Sequence, residues 1–212
     1  PGHGLQAVEG TVTVANCTLA DNAGWALTNA AASTLNVKDS ILWDNREGGL
    51  VNAGQATVTY TCSQETHAGI GNRSENPLFV AGYYLSVNSL PYQSASSHCI
   101  DAGSATAAAL GLDTRTTRTD GTADTAGLVD LGYHEADAET NVSNLFLYVD
   151  AVTGSDANDG LNSGHPLKTL TRALALAIHG RAIAIATGQY SAASGEAFPL
   201  VAQDWNLSLR GA

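Results

Sequence analysis

The sequence predicts an all-β fold, a parallel β-helix built from coils of about 23 residues and closed by one short capping helix. Three observations predict it. First, a 23-residue period runs from Thr11 to Ser63. Val12, Leu35 and Val58 fall in step, as do Val14, Val37 and Tyr60, and Thr11, Thr34 and Thr57. Leu19 with Leu42, Asp21 with Asp44, Asn22 with Asn45 and Leu27 with Leu50 keep the same step. Second, within each repeat the residues alternate, as in Thr11-Val12-Thr13-Val14 and Thr57-Val58-Thr59-Tyr60, the period-2 signature of a half-buried strand. Third, the repeats are punctuated by Asn, Asp and Gly, and short strands at such a period mean a solenoid. Leucine-rich repeats need a dense Leu and Asn/Cys consensus that is absent here. A parallel β-helix needs only a small or branched apolar residue pointing inward on each coil, stacked about 4.8 Å above its counterpart.

Residues 1–10 read as the tail of an incomplete coil, and residues 11–63 as the in-step coils. At the turns Asn22 lies above Asn45 and Asp21 above Asp44, where stacked amides can hydrogen-bond from coil to coil. After Ser63 the repeat stops. A closing segment, 69–133, carries Gly71-Asn72, Asn76-Pro77-Leu78-Phe79-Val80, Tyr84-Leu85-Ser86 and Cys99-Ile100-Asp101-Ala102-Gly103. Within it, 104–127 reads as a surface excursion and Gly127–Tyr133 as a short strand with a turn. Residues 136–146 read as a linker. The chain then restarts with Leu147-Tyr148-Val149-Asp150, an Asp/Asn/Gly turn and a helix. Pro166 suits that helix's first turn, Gly180 its end, and Leu167, Leu170, Leu174 and Ile178 share one face. Ile183 and Ile185 alternate with Ala, and Leu207 and Leu209 repeat them 24 residues later.

Composition narrows the function. The net charge is −11, with Lys38 and Lys168 the only lysines. Nucleic acid and anionic membrane surfaces are therefore poor electrostatic partners. No run of 18 apolar residues marks a membrane span. The chain has no methionine, even at position 1, which predicts a processed or excised product. Low charge and the absence of Met point to an extracellular or cell-surface protein.

In order, Asn-Pro-Leu-Phe-Val, Tyr-Leu-Ser, Cys-Ile-Asp-Ala-Gly and Val-Asp-Leu-Gly-Tyr resemble the closing segment of secreted right-handed parallel β-helix proteins of the pectate-lyase-like superfold. Leu147–Asp150, the Gly154–Gly160 turn and His165-Pro166-Leu167-Lys168-Thr169-Leu170 resemble the opening motif of the same family. The resemblance covers about residues 4–135 and 147–212 and implies a right-handed β-helix in both. Here the closing motif precedes the opening one. Residues 1–135 thus read as the back of one helix and 147–212 as the front of the next. An open β edge invites pairing with another chain. The expectation is a structural subunit that stacks head to tail on copies of itself into a fibre, through Leu5, Val12 and Val14 at one end and Ile183, Ile185, Leu207 and Leu209 at the other. Such a contact is heterologous and propagates. The alternative is a carbohydrate-binding, carbohydrate-active or adhesin module from a tandem surface protein, with polysaccharide as its partner.

Candidate chemistry is sparse. Asp150, Asp156, Asn158 and Asp159 crowd oxygen ligands around Gly154 and Gly160, as a calcium site or as hydrogen-bonded Asx turns. No other cofactor is implied. Asp21, Asp39 and Asp44 resemble paired hydrolase carboxylates, yet their place at repeat turns favours a structural role. A pectate-type lyase needs basic residues in a groove, and Lys38, Arg46 and Arg73 are the only lysines and arginines ahead of Arg115 in that half. His3, His67, His98, His134, His165 and His179 lack ligand spacing. Of the three cysteines, Cys17 reads as a buried free thiol, and Cys62 and Cys99, which bracket a loop-rich segment, as a candidate disulfide.

Overall fold

The computed structural model describes residues 2–80, 82–89, 93–136, 146–177, 182–202 and 208–211. The chain divides into two compact units. The first comprises Pro1–Leu78, Ser96–Thr117 and Thr122–Ala136; the second comprises Phe79–Ala95, Arg118–Gly121 and Asp137–Ala212. Residues 79–95 and 118–121, which sequence reading assigns to the closing segment of the first half, thus belong with the second unit. Most of the expected linker lies outside the described residues.

In the first unit β1 (Leu5–Ala15), β2 (Thr18–Ala20), β3 (Trp25–Trp43), β4 (Gly48–Asn52) and β5 (Gln55–Ser63) form one sheet in which every pairing is parallel. The strand β3 lies between β1 and β2 on one side and β4 and β5 on the other. Neighbouring parallel strands cannot be joined by a tight hairpin, so the chain must make a circuit before each pairing. The repeat length sets that circuit: Val14 pairs with Val37, Leu19 with Leu42 and Leu27 with Leu50.

The third strand corrects the expected register. Val37 pairs with Val58 rather than Tyr60, and Leu35 with Ala56 rather than Val58. The cause is a shorter corner: Ala53 and Gly54 alone separate Asn52 from Gln55, where four residues, 30–33, separate Asn29 from Thr34. Gly54 permits this tightness, because a Cβ there would fall 2.3 Å from the Ala30 carbonyl oxygen and 2.4 Å from that of Ser33. A slip of two residues preserves the side-chain faces, so apolar still stacks on apolar.

Leu27, Leu35, Val37 and Leu42 are fully enclosed and form the centre of the first core with Val14, Ala26 and Val58. The corners stack as well. Asn16, Asp39 and Tyr60 hold left-handed φ values of 50°, 50° and 47°, and Asp21 and Asp44 hold 56° and 54°. Asn and Asp tolerate this region best, which explains most of those residue choices. The expected amide ladder is present: Asn22 Nδ2 donates to Asn45 Oδ1 at 2.7 Å, and Asn45 Nδ2 donates to the Leu19 and Trp43 carbonyls at 2.9 and 3.1 Å. A second ladder, which sequence reading misses, joins Asn29 Nδ2 to Asn52 Oδ1 at 2.7 Å.

Beyond β5 the chain lays residues 70–73 alongside it. Tyr60 N–H donates to the Ile70 carbonyl, Arg73 N–H to Thr61 and Ser63 N–H to Arg73. The 104–127 stretch, expected to be a surface excursion, instead buries Thr116, Thr117, Thr119 and Asp124 and contains a short helix α1 (Ala107–Leu110), capped by Thr106 and closed by left-handed Gly111. Gly127–Tyr133 forms no strand. Instead Val129 and Leu131 are buried, and their N–H groups reach the Ala105 and Cys99 carbonyls.

The second unit holds a three-stranded parallel sheet in the order β10 (Ser208–Gly211), β9 (Ala182–Ile185), β8 (Phe146–Val149). A helix α2 (Leu170–Leu176) and a small antiparallel pair, β6 (Phe79–Val80) with β7 (Tyr84–Leu85), complete it. Strand alternation gives the sheet two buried faces. One carries Leu147, Val149 and Ile183 and packs on Leu167 and, from α2, Ala173 and Leu174. The other carries Phe146, Ala182 and Ala184 and packs on Val80 and Tyr84, which is why 79–95 travels with this unit.

The helix begins later than expected. Thr169 is its N-cap and Ala177 its C-cap, so Pro166 and Leu167 precede it; Ile178 and Gly180 lie outside the described residues. The spacing between the last two strands is also corrected. Ile183 pairs with Leu209, two residues beyond the expected Leu207, which itself lies outside the described residues. The described chain is mostly β with few helical residues.

Candidate functional site

Each of the two parallel sheets has an edge to which no further strand is paired among the described residues. In the first unit, on the β4 and β5 side, residues 70–73 run alongside β5, whereas β4 pairs only with β3 among the described residues. On the other side β1 and β2 have no further strand paired to them among the described residues. The consequence shows in burial. Leu5, Val12 and Leu19 are only half-buried, although Leu27, Leu35 and Leu42, their partners in register, are fully enclosed. Val14 is buried. Among the described residues the outermost rung of the apolar ladder thus lacks a cover.

In the second unit the closed side is β8. Leu167 N–H donates to the Tyr148 carbonyl, Asp150 N–H to Leu167, and Tyr148 N–H to Gly160. The open side is β10, which pairs only with β9 among the described residues. Leu147, Ile183 and Leu209 form a ladder across the sheet. Leu147 and Ile183 are 0% exposed and Leu209 57%. Ile183, expected at a subunit contact, is therefore enclosed by its own unit, and Ile185 is half-buried beside it. Leu209 is the exposed rung.

The four residues proposed for calcium each have hydrogen-bond partners within residues 150–169. The Asp150 carboxylate accepts from Val152 N–H at 2.8 Å, Thr153 N–H at 3.1 Å and Thr153 Oγ1 at 2.6 Å. These donors, the Thr153 hydroxyl first, hold the Asp150 carboxyl below the ordinary aspartate range. Asp156 accepts from Lys168 N–H, Thr169 N–H and Thr169 Oγ1, each at 2.9 Å. Asn158 Nδ2 donates to the Pro166 carbonyl, and Asp159 accepts from Leu161 N–H. Glu196 extends the pattern, accepting from the first-turn N–H groups of α2 at Leu170 and Thr171.

A second acidic group, which sequence reading misses, brings Asp101, Asp124 and Asp130 oxygens within 4.8 Å of one another. Asp130 accepts from Asp101 N–H at 2.8 Å and from Thr117 Oγ1, Asp124 accepts from Asp130 N–H at 2.8 Å, and buried His134 places Nε2 3.1 Å from Asp124. These contacts tie separate loops of the closing segment together. The Asp39 carboxylate does the same, accepting from Ser104 N–H at 2.7 Å and Ser104 Oγ at 2.8 Å. Asp21 and Asp44 sit at left-handed corners 23 residues apart in the sequence.

A groove of about 220 Å³ beside α2 is lined by Thr171, Leu174, Pro199, Leu200 and Val201 among others, with no titratable side chain. The three cysteines are free thiols. Cys17 is half-buried rather than buried, whereas Cys62 and Cys99 are fully enclosed. No helix among the described residues is long and apolar enough to cross a membrane.

Residues 152–211 match a family model described as "Protein of unknown function (DUF1565)", a family associated with parallel β-helix proteins. No curated protein and no solved structure matches the chain.

Proposed function

We propose that both units are segments of right-handed parallel β-helix, and that the protein is a structural subunit that assembles head to tail outside the cell. In this reading the β10 side of one copy stacks on the β1 side of the next. Leu209 then covers the half-buried rung of Leu5 and Val12, and the backbone groups of both outer strands pair across the junction. The observation that carries the reading is the pair of open edges, β1 and β10, each ending an apolar ladder with a rung that is uncovered among the described residues, while residues 70–73 cover β5 and Leu167 covers β8. Both sheets are parallel, so a junction between them continues the same hydrogen-bond pattern. Its apolar burial contributes roughly 25 cal/mol per Å², and an exposed strand edge is a template for strand addition. Val80 and Tyr84 pack on a face of the second sheet, which leaves its β10 edge available.

Sedimentation velocity over a range of protein concentrations tests this. Leu209 is largely exposed, so Leu209→Asp is expected to leave the fold of the single subunit intact and to abolish concentration-dependent growth of the sedimentation coefficient. A wild-type chain that stays monomeric at every concentration would refute the proposal.

A further inference from the structure

We propose that Asn22 sets the register of the junction at the open β1 side: its Oδ1 accepts a backbone N–H and a side-chain N–H from one residue of the copy stacked on it. The proposal rests on the head-to-tail reading and adds to it the group that chooses where the incoming strand sits. The chemistry is read from the next rung of the same ladder. Asn45 Oδ1 accepts from Asn22 N–H at 3.1 Å and from Asn22 Nδ2 at 2.7 Å. Asn45 Nδ2 donates to the Leu19 and Trp43 carbonyls, and a carbonyl can only accept, so the Asn45 amide has one orientation. That orientation fixes Asn22 in turn, because the group it turns toward Asn45 Oδ1 must be a donor.

Asn22 repeats the local geometry of Asn45. Each follows an aspartate with left-handed φ, 56° at Asp21 and 54° at Asp44. Each Nδ2 donates to the carbonyl two residues back, at 3.3 Å to Ala20 and at 3.1 Å to Trp43. Asn22 Oδ1 therefore takes, toward the open side, the place that Asn45 Oδ1 takes toward Asn22. Among the described residues nothing donates to it, and Asn22 is half-buried. The Asn29–Asn52 ladder ends differently. Ser33 Oγ donates to Asn29 Oδ1, and Asn29 is buried. One ladder is closed within the chain, and the other stops with an acceptor at the edge.

An apolar edge alone does not choose a register. A slip of two residues keeps every side chain on its face, and β5 makes such a slip within this chain. A polar slot does choose. A residue that offers two N–H groups fits it, and an apolar residue leaves the oxygen without a donor once water is excluded. A single asparagine in an apolar contact fixes the register of coiled coils in the same way.

Sedimentation velocity across a concentration series compares three chains: unmodified, Asn22→Ala and Asn52→Ala. Asn22→Ala removes the acceptor and leaves the residue-22 N–H on Asn45 Oδ1. Asn52 is exposed; Asn52→Ala removes an amide bond of the same 2.7 Å length from the closed ladder, and Asn29 Nδ2 keeps the Gln55 carbonyl. Both variants therefore retain the fold, which circular dichroism checks. Asn22→Ala is expected to raise the concentration of half-assembly roughly tenfold, the equivalent of about one to two net hydrogen bonds. Asn52→Ala is expected to stay within about twofold of the unmodified chain. An equal rise in both variants, or no rise for Asn22→Ala while the unmodified chain assembles, would overturn the register proposal and leave head-to-tail assembly standing. An unmodified chain that stays monomeric at every concentration overturns the assembly reading, and this proposal with it.

Discussion

Replacing Asn45 with Ala removes the rung on which one corner of the first sheet hangs. The Asn45 side chain is 5% exposed and serves four partners. Its Oδ1 accepts from Asn22 N–H at 3.1 Å and Asn22 Nδ2 at 2.7 Å, and its Nδ2 donates to the Leu19 and Trp43 carbonyls. Each such bond contributes about 1 kcal/mol net, and a buried group left without its partner costs about 1–3 kcal/mol. Asn22 is half-buried, so water recovers part of the loss on its side. Leu19 and Trp43, whose carbonyls lose a donor, are half-buried as well. The sum is a loss of about 3 kcal/mol, which for a unit of this size lowers Tm by roughly 10 °C. Thermal melting followed by circular dichroism measures it, and a double-mutant cycle with Asn22→Ala isolates the amide–amide bond at about 0.5–1.5 kcal/mol of coupling. A loss under about 0.5 kcal/mol, with no coupling to Asn22, would refute the reasoning that the ladder holds the corner.

Two other predictions follow from the local geometry. Gly54→Ala is expected to destabilise the first unit by at least about 1 kcal/mol, because its methyl group must displace backbone carbonyls rather than a flexible side chain; chemical denaturation reads the change. The Asp150 carboxyl, held low by the Thr153 hydroxyl and by the Val152 and Thr153 N–H groups, contributes stability that is fully present above the unfolded aspartate pKa of about 3.9. That contribution is lost as the pH falls through the lower folded value. In an NMR titration the Val152 and Thr153 amides are expected to shift with a midpoint below about 3.9, and Asp150→Ala is expected to flatten both curves.

Much of the first sheet is legible in the sequence because one physical constraint writes it twice. A circuit of fixed length places Val14 on Val37 and Leu27 on Leu50, and the same circuit sets Asn22 on Asn45. The register of β5 is not legible, since it depends on a corner two residues shorter, and nothing in the alternation distinguishes a slip of two from none. The same ambiguity hides the pairing of Ile183 with Leu209. The Asn29–Asn52 ladder was available from its 23-residue spacing but sits among Ala and Thr that blur it. By contrast, the packing of Val80 and Tyr84 on the second sheet has no local signature, because two-residue strands carry no period. The Asp101, Asp124 and Asp130 group is likewise built from separate loops and invisible to spacing arguments. Asp150, Asp156, Asn158 and Asp159 stand out by their nearness in sequence; in the structure the three carboxylates accept from separate N–H groups, and the Asn158 amide donates to the Pro166 carbonyl.

Negative-stain microscopy of the purified chain, beside Leu209→Asp at equal concentration, probes most directly whether an open β10 side of one copy meets an open β1 side of the next. Unbranched filaments of the unmodified chain, with dispersed particles for the variant, are the predicted images. Dispersed single particles in both samples, or filaments in both, would contradict stacking through that rung.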